Sequence, residues 1–173
     1  MRNKLSISDL SFCPRKAFFS YFYRPYGYVK PNTTIHEVIL SKLESDGYRI
    51  EVPVSYYLKD GFKLVGRVDA VGRDHIIEVK TVKEFDFNIR PYWLAQVNMY
   101  MHILSLHSAK LLIVDRSARQ VFSCNITYNK KIVEEMLEQG KQVINAIKLK
   151  DFTIIPKSNN CQYCHFNIIC KIC

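Results

Sequence analysis

The chain has 173 residues, 48% hydrophobic and 24% charged, which is ample for a folded core and excludes a disordered tail. Lys and Arg number 25 against 16 Asp and Glu, and the formal charge of +9 suits a polyanionic partner or a well-solvated surface. The opening MRNKLSISDL has no apolar leader stretch, so the expected setting is cytoplasmic, where clustered cysteines bind metal rather than form disulfides.

In chain order, Ser8 is placed to cap a helix through residues 12–23, with Pro14 tolerated near its start. A second helix starts at 32–34, where Thr34 and Glu37 have capping-box spacing, and stops near Gly47. Residues 48–82 are rich in β-branched and aromatic types, and turns at 60–61 and 72–75 divide them into three antiparallel strands. Residues 91–109 carry no charge, yet Gln96, Asn98 and His102 are too polar for a lone lipid-facing helix. A helix buried in a protein core, with no membrane partner, is the reading. Strands at 110–115 and 120–127 and an amphipathic helix at 132–149 follow, and the tail from Asp151 is organised by cysteines. No repeat or Gly/Ser linker interrupts the chain, so a single domain over 1–173 is expected. Its class is α/β, with a mixed central sheet flanked by helices.

The segment 63–82, KLVGRVDAVGRDHIIEVKTV, carries the chemistry. A two-residue loop at Arg73-Asp74 pairs Gly72 with His75 and sets Asp69 opposite Glu78 and Arg67 opposite Lys80. Strand alternation then puts Arg67, Asp69, Glu78 and Lys80 on one face and Val68, Ala70, Ile77 and Val79 on the other. Two adjacent carboxylates repel unless a cation joins them, and Mg²⁺ or Mn²⁺ favours oxygen ligands. Such an ion activates water against a phosphodiester, and Lys80 would orient that water or neutralise developing charge. A plain cross-strand ion network on a solvated face is the competing reading of these four residues.

Asp69 followed by Glu78-x-Lys80 resembles the D…(D/E)-x-K signature of the PD-(D/E)XK nuclease superfamily. Gln96-x₃-Tyr100 is similar to the Q-x₃-Y motif of its RecB-like branch, and His36 stands where that branch carries a metal-binding histidine. With Cys13 and Cys161-x₂-Cys164-x₅-Cys170, the order resembles the CRISPR-associated RecB-like iron–sulfur exonuclease family over nearly the whole chain. The resemblance implies a restriction-endonuclease-like core plus an iron–sulfur tail, with residues 1–30 and 151–173 joined by the cluster. It implies a metal-dependent deoxyribonuclease, preferring single-stranded DNA and trimming prespacers alongside the CRISPR integrase complex. His36, Asp69, Glu78 and the Val79 carbonyl would hold Mn²⁺ or Mg²⁺, with Asp69, Glu78 and Lys80 catalytic. A nuclease of an archaeal virus, acting in the host cytoplasm, or one of general recombination would carry the same motifs. A zinc-stabilised nucleic-acid-binding protein without catalysis is the reading from another class. The oligomeric state stays open.

By ligand type, four thiolates suit zinc or an iron–sulfur cluster equally. The family's spacing favours 4Fe–4S over 2Fe–2S or zinc, with Cys13, Cys161, Cys164 and Cys170 as ligands and Cys173 or His165 as substitutes. Cys124 reads as a small buried hydrophobe. Residues 12–28 hold eight aromatics, most of them expected in the core. Arg15, Lys16 and Arg24, interleaved among them, are the candidate phosphate contacts. Gln96 and Tyr100, at i and i+4 on one helical face, would approach the cleft and position DNA or the lysine.

Overall fold

The β-hairpin of residues 63–82 has the register its sequence requires: Ala70 pairs with Ile77 and Val71 with Ile76, and the Gly72 amide donates to the His75 carbonyl at 2.9 Å. The structure, a computed structural model, describes residues 3–23, 34–83, 88–117, 119–158, 161 and 164–172. In order they form β1 (Lys4–Ser6), α1 (Ile7–Phe12), α2 (Pro14–Phe22), α3 (Thr34–Ser45) and β2 (Arg49–Tyr57). A 3-10 turn at Lys59–Gly61 leads to β3 (Lys63–Val71), β4 (His75–Val82), α4 (Pro91–Leu104), β5 (Ser108–Asp115) and β6 (Val121–Thr127), then α5 (Lys130–Leu149) and α6 (Asn167–Ile172). The six strands make one mixed sheet in the order β1-β3-β4-β5-β6, with β2 also paired to β3. β3–β4 and β5–β6 are antiparallel, while β4 and β5 run parallel and are connected through α4. Among the described residues no helix is long and apolar enough to cross a membrane.

The chain divides into two units: Met1–Tyr28, Ser55–Gly66 and Lys130–Cys173 in the first, Val29–Val54 and Arg67–Asn129 in the second. In the first, α5 turns Val133, Met136, Val143, Ile144 and Ile147 inward at helical spacing, with Gly140 allowing close approach of Leu10 and Leu58. Phe18 and Phe19 are buried and contact Phe152, and Phe19 also stacks on Phe166, so the start of the chain packs on its tail. The expected helix over 12–23 is two helices. Ser6, not Ser8, caps α1, its side chain accepting from the Asp9 amide, and Cys13 breaks the run in an extended conformation before Pro14 opens α2. The tail also holds α6, too short for its periodicity to show in the sequence.

In the second unit, Ile35, Ile39 and Leu43 of α3 pack on Ala70, Ile77, Val79 and Val114 of the sheet. The helix stops where Gly47 was expected to stop it. Gly47 takes φ +91, Tyr48 N–H donates to the Leu43 carbonyl and Gly47 N–H to that of Glu44, a Schellman closure that disfavours a Cβ. Helix α4 buries Trp93, Gln96, Val97, Asn98, Met99, Tyr100 and Met101, nearly its whole circumference. Cys124 departs from expectation: it is half-buried on β6, the last strand in the sheet order, where only one side chain in two faces the protein.

Candidate functional site

In the second unit the face bearing Asp69, Glu78 and Lys80 is closed by α4. Glu78 is 3% exposed. Its Oε1 accepts from Lys80 Nζ at 2.7 Å and from Gln96 Nε2 at 3.0 Å. Gln96 Oε1 accepts from the same Lys80 ammonium at 2.8 Å, and Gln96 Nε2 also reaches the Tyr100 hydroxyl at 3.0 Å. One helical turn of α4 thus holds both the acid and the lysine. The Glu78 Oε2 atom is buried and has no hydrogen-bond partner. Such an acceptor is costly unless an ordered water, an ion or a ligand completes it.

Asp69 lies half in the strand pairing. Its Oδ2 accepts from the Val79 amide at 2.8 Å and sits 3.4 Å from His36 Nε2 on α3. The same amide–carboxylate bond ties Asp69 to the residue whose carbonyl was named as a ligand. Burial first, then the Asp69 charge, pushes Glu78 up to about 7, against the pull of Lys80. The bond to Asp69 raises the His36 pKa, opposed by burial. Burial and the nearby Glu78 charge push the Tyr100 hydroxyl far above its ordinary value. Each shift has the sign expected of negative charge gathered in a poorly solvated place, and a divalent cation would reverse that imbalance.

The donor set therefore fits a hard divalent ion: carboxylate oxygens from Asp69 and Glu78, one of them orphaned, beside an imidazole. Among the described residues no three His, Cys, Asp or Glu side chains stand gathered as a ready cage. The carboxylates instead engage the Val79 amide, Lys80 and Gln96, so a bound ion would compete with these internal donors.

Gln96 and Tyr100 were expected to approach the cleft and position DNA or the lysine. They are 7% and 2% exposed, with Gln96 bonded to Glu78 and Lys80 and Tyr100 bonded to Gln96. The structure adds a pair that sequence spacing did not single out. Glu51 on β2 holds Arg67 Nη2 at 3.0 Å, and its charge contributes to raising His36. Glu51 has φ +51 inside a strand, a strained conformation for a residue with a Cβ. No local signal marks it, because its partner is sixteen residues away in the chain.

In the first unit, Cys13, Cys161, Cys164 and Cys170 line one pocket with Phe12, Arg15, Lys16, Phe19, Phe166 and Asn167. Burial raises the Cys164 thiol, and Cys13 and Cys161 add to the rise while Lys16 opposes it. Cys161 and Cys164 share a turn, the Cys164 amide donating to the Cys161 carbonyl at 3.1 Å. By donor type these four thiols suit a thiolate-bound metal centre, and among the described residues no three of them stand gathered as a formed cage, so loading would have to draw them together. Cys173 and Arg24 lie outside the described residues.

Arg15 is a correction. Expected at a phosphate, it is 8% exposed, and its Nε donates to the Ile155 carbonyl at 2.7 Å and its Nη2 to that of Thr153 at 3.4 Å. The stacked aromatics around it and the returning tail cover it, a burial that composition could not reveal. Lys16 is partly exposed, paired with Asp9 at 2.8 Å and set over the Phe12 ring.

A family model of the PD-(D/E)XK nuclease superfamily matches residues 33–171. Among solved structures, the chain is similar to that of SSO0001, at 21% identity and TM-score 0.75, over 99% of this chain and 87% of that one. It is also similar to the alkaline exonuclease LHK-Exo from Laribacter hongkongensis, at 12% identity and TM-score 0.63, over 86% and 90%. A phage-related exonuclease from Haemophilus somnus 129PT follows at 14% and 0.53, over 87% and 95%. At these identities the likeness establishes the fold. No curated protein sequence matches.

Proposed function

The chain belongs to the PD-(D/E)XK nuclease superfamily, and from that premise we propose that it is a divalent-metal-dependent deoxyribonuclease acting from the ends of single strands. The observation that carries the reading is Glu78: buried, with one orphan oxygen, beside Asp69 and paired to Lys80. A structural ion network would satisfy that second oxygen, whereas a metal ligand needs it free. His36, Asp69, Glu78 and the Val79 carbonyl would hold Mn²⁺ or Mg²⁺. When bound, the ion supplies an activated water and a Lewis acid for the phosphoryl oxygen.

This chain's own residues do the rest. Gln96 holds Lys80 and Glu78 in a fixed relation, which would keep the ammonium available to orient a water or to balance charge gathering on the phosphate. The Val79 amide and His36 fix Asp69, and Tyr100 fixes Gln96. The net charge of +9 draws the DNA backbone toward a site that is itself negative.

The finer parts rest on the motif order and on the exonucleases among the structural neighbours. The four-cysteine pocket holds a 4Fe–4S cluster that staples the start of the chain to its tail, with the whole of 1–173 working as one nuclease. The biological task is trimming of prespacer DNA beside a CRISPR integrase. The deciding experiment measures cleavage of end-labelled single-stranded DNA with Mn²⁺ by wild type, Glu78→Ala and Lys80→Ala. Loss of cleavage by two or more orders of magnitude in both variants is expected. Equal cleavage by all three would overturn the mechanism. Anaerobic purification tests the cluster, since a colourless zinc-loaded protein would refute iron–sulfur.

A further inference from the structure

Among the described residues, Arg15 is a buried cation without a buried anion. Among them no carboxylate lies within ion-pair distance of it, while its neighbour Lys16 has Asp9. Its fork is aimed by carbonyls on two sides, from Ile155 and Thr153, and by the Phe152 ring 5.2 Å from the guanidinium carbon. The remaining arm, Nη1, points at Cys170 Sγ at 3.7 Å, within the reach of an N–H···S bond. Cys13, another cysteine of the same pocket, is the N-cap of α2, so the positive end of that helix adds to the field.

A guanidinium keeps its charge at any accessible pH, and burying it with carbonyl dipoles alone leaves the charge unneutralised. Four neutral thiols do not neutralise it. Thiolates bound to a metal do, because a tetrathiolate centre carries net negative charge with either zinc or an iron–sulfur core.

We infer that Arg15 is the built-in counter-ion of a thiolate-bound metal centre at Cys13, Cys161, Cys164 and Cys170, donating to the Cys170 sulfur and balancing the charge that metal loading creates. The inference rests on the thiolate-centre reading above and goes beyond it. Arg15 is a positioning residue, acting on the metal through Cys170. It makes loading and charge balance one event: the stripped protein holds an uncompensated cation, and the loaded protein holds an ion pair.

The test uses the full chain, stripped of metal and titrated anaerobically with Co²⁺, followed by the thiolate-to-cobalt charge-transfer band. Wild type, Arg15→Met and Arg15→Lys are compared, and each is also unfolded with denaturant in stripped and loaded forms. Outer-shell partners of metal ligands are worth about 10- to 100-fold in affinity, so Arg15→Met should bind Co²⁺ at least about tenfold more weakly, with the band shifted. Stripped Arg15→Met loses the bonds to the Ile155 and Thr153 carbonyls and should be somewhat less stable than stripped wild type, with a clearly larger loss on loading. Arg15→Lys, which keeps the charge but not the fork, should fall between.

Unchanged Co²⁺ affinity and spectrum in Arg15→Met would overturn the inference. So would equal destabilisation of stripped and loaded forms, or failure of the stripped variant to fold, since either would make the guanidinium a tie for residues 153–155 only. Absence of a thiolate band in wild type, or a band undisturbed by Cys164→Ser, would instead bring down the metal-centre reading itself.

Discussion

Glu78→Gln separates stability from function at one atom. The replacement keeps Oε1, which accepts from Lys80 and Gln96, and puts an amide nitrogen where the orphan Oε2 lies. In metal-free protein the folded state raises the Glu78 pKa from 4.5 to about 7. A raised carboxyl pKa means the folded state holds the proton more tightly than the unfolded one, so this favourable contribution is complete below pH 4.5. It is lost as pH rises through 7. At about 1.4 kcal/mol per pKa unit, the wild type gives up roughly 3 kcal/mol across that window, an upper figure because Lys80 can relax toward the carboxylate. The neutral Gln gives up nothing. Denaturant unfolding in EDTA should therefore show Glu78→Gln near wild type at pH 4.5 and more stable by as much as about 3 kcal/mol at pH 8. Adding Mn²⁺ should stabilise wild type by mass action and leave the variant unmoved, and cleavage should be lost. A variant destabilised at pH 8, or a difference independent of pH, would refute the picture of Glu78 as a carboxylate held ready for a cation.

Three further outcomes follow from the geometry. Gln96→Leu removes the partner shared by Glu78, Lys80 and Tyr100, and should cost about 1–3 kcal/mol in denaturant unfolding while lowering cleavage more than DNA affinity. At Gly72 an added Cβ would sit 2.8 Å from the Tyr48 ring and 3.3 Å from the His75 carbonyl, so Gly72→Ala should destabilise by roughly 1–3 kcal/mol in thermal unfolding. Bonds from the Ser117 hydroxyl, and from the Ser117 and Arg119 amides, hold the Asp115 carboxyl below its ordinary 3.8. A lowered carboxyl stabilises above its unfolded pKa, and that contribution is lost as pH falls through the folded one. Asp115→Ala should thus lower Tm at neutral pH, and its gap from wild type should shrink below pH 3.8.

The elements that sequence located best are those whose signals are local. The Gly47 stop, the Pro91 start and the register of the β3–β4 hairpin all follow from a single residue's dihedral freedom or a two-residue loop. That register alone put Asp69, Glu78 and Lys80 on one face, and with Gln96 and Tyr100 one turn apart, the candidate cluster was legible before any fold was. What failed locally was short or competed with a neighbour. β1 and α6 span three and six residues, and Cys13 interrupts what looks like continuous helix.

The motif order by itself determined the kind of protein: a nuclease face of two carboxylates and a lysine, and a tail built around cysteines. Only tertiary structure decided what each charged group is for. Exposure and pairing depend on residues far away in the chain, and side-chain type does not reveal them. Arg15 looks like a phosphate contact until residues 153–155 close over it. Glu51 looks like a solvated strand residue until Arg67 meets it. Glu78 looks like one more charge in a cross-strand network until α4 removes it from water and one of its oxygens is left without a protein partner.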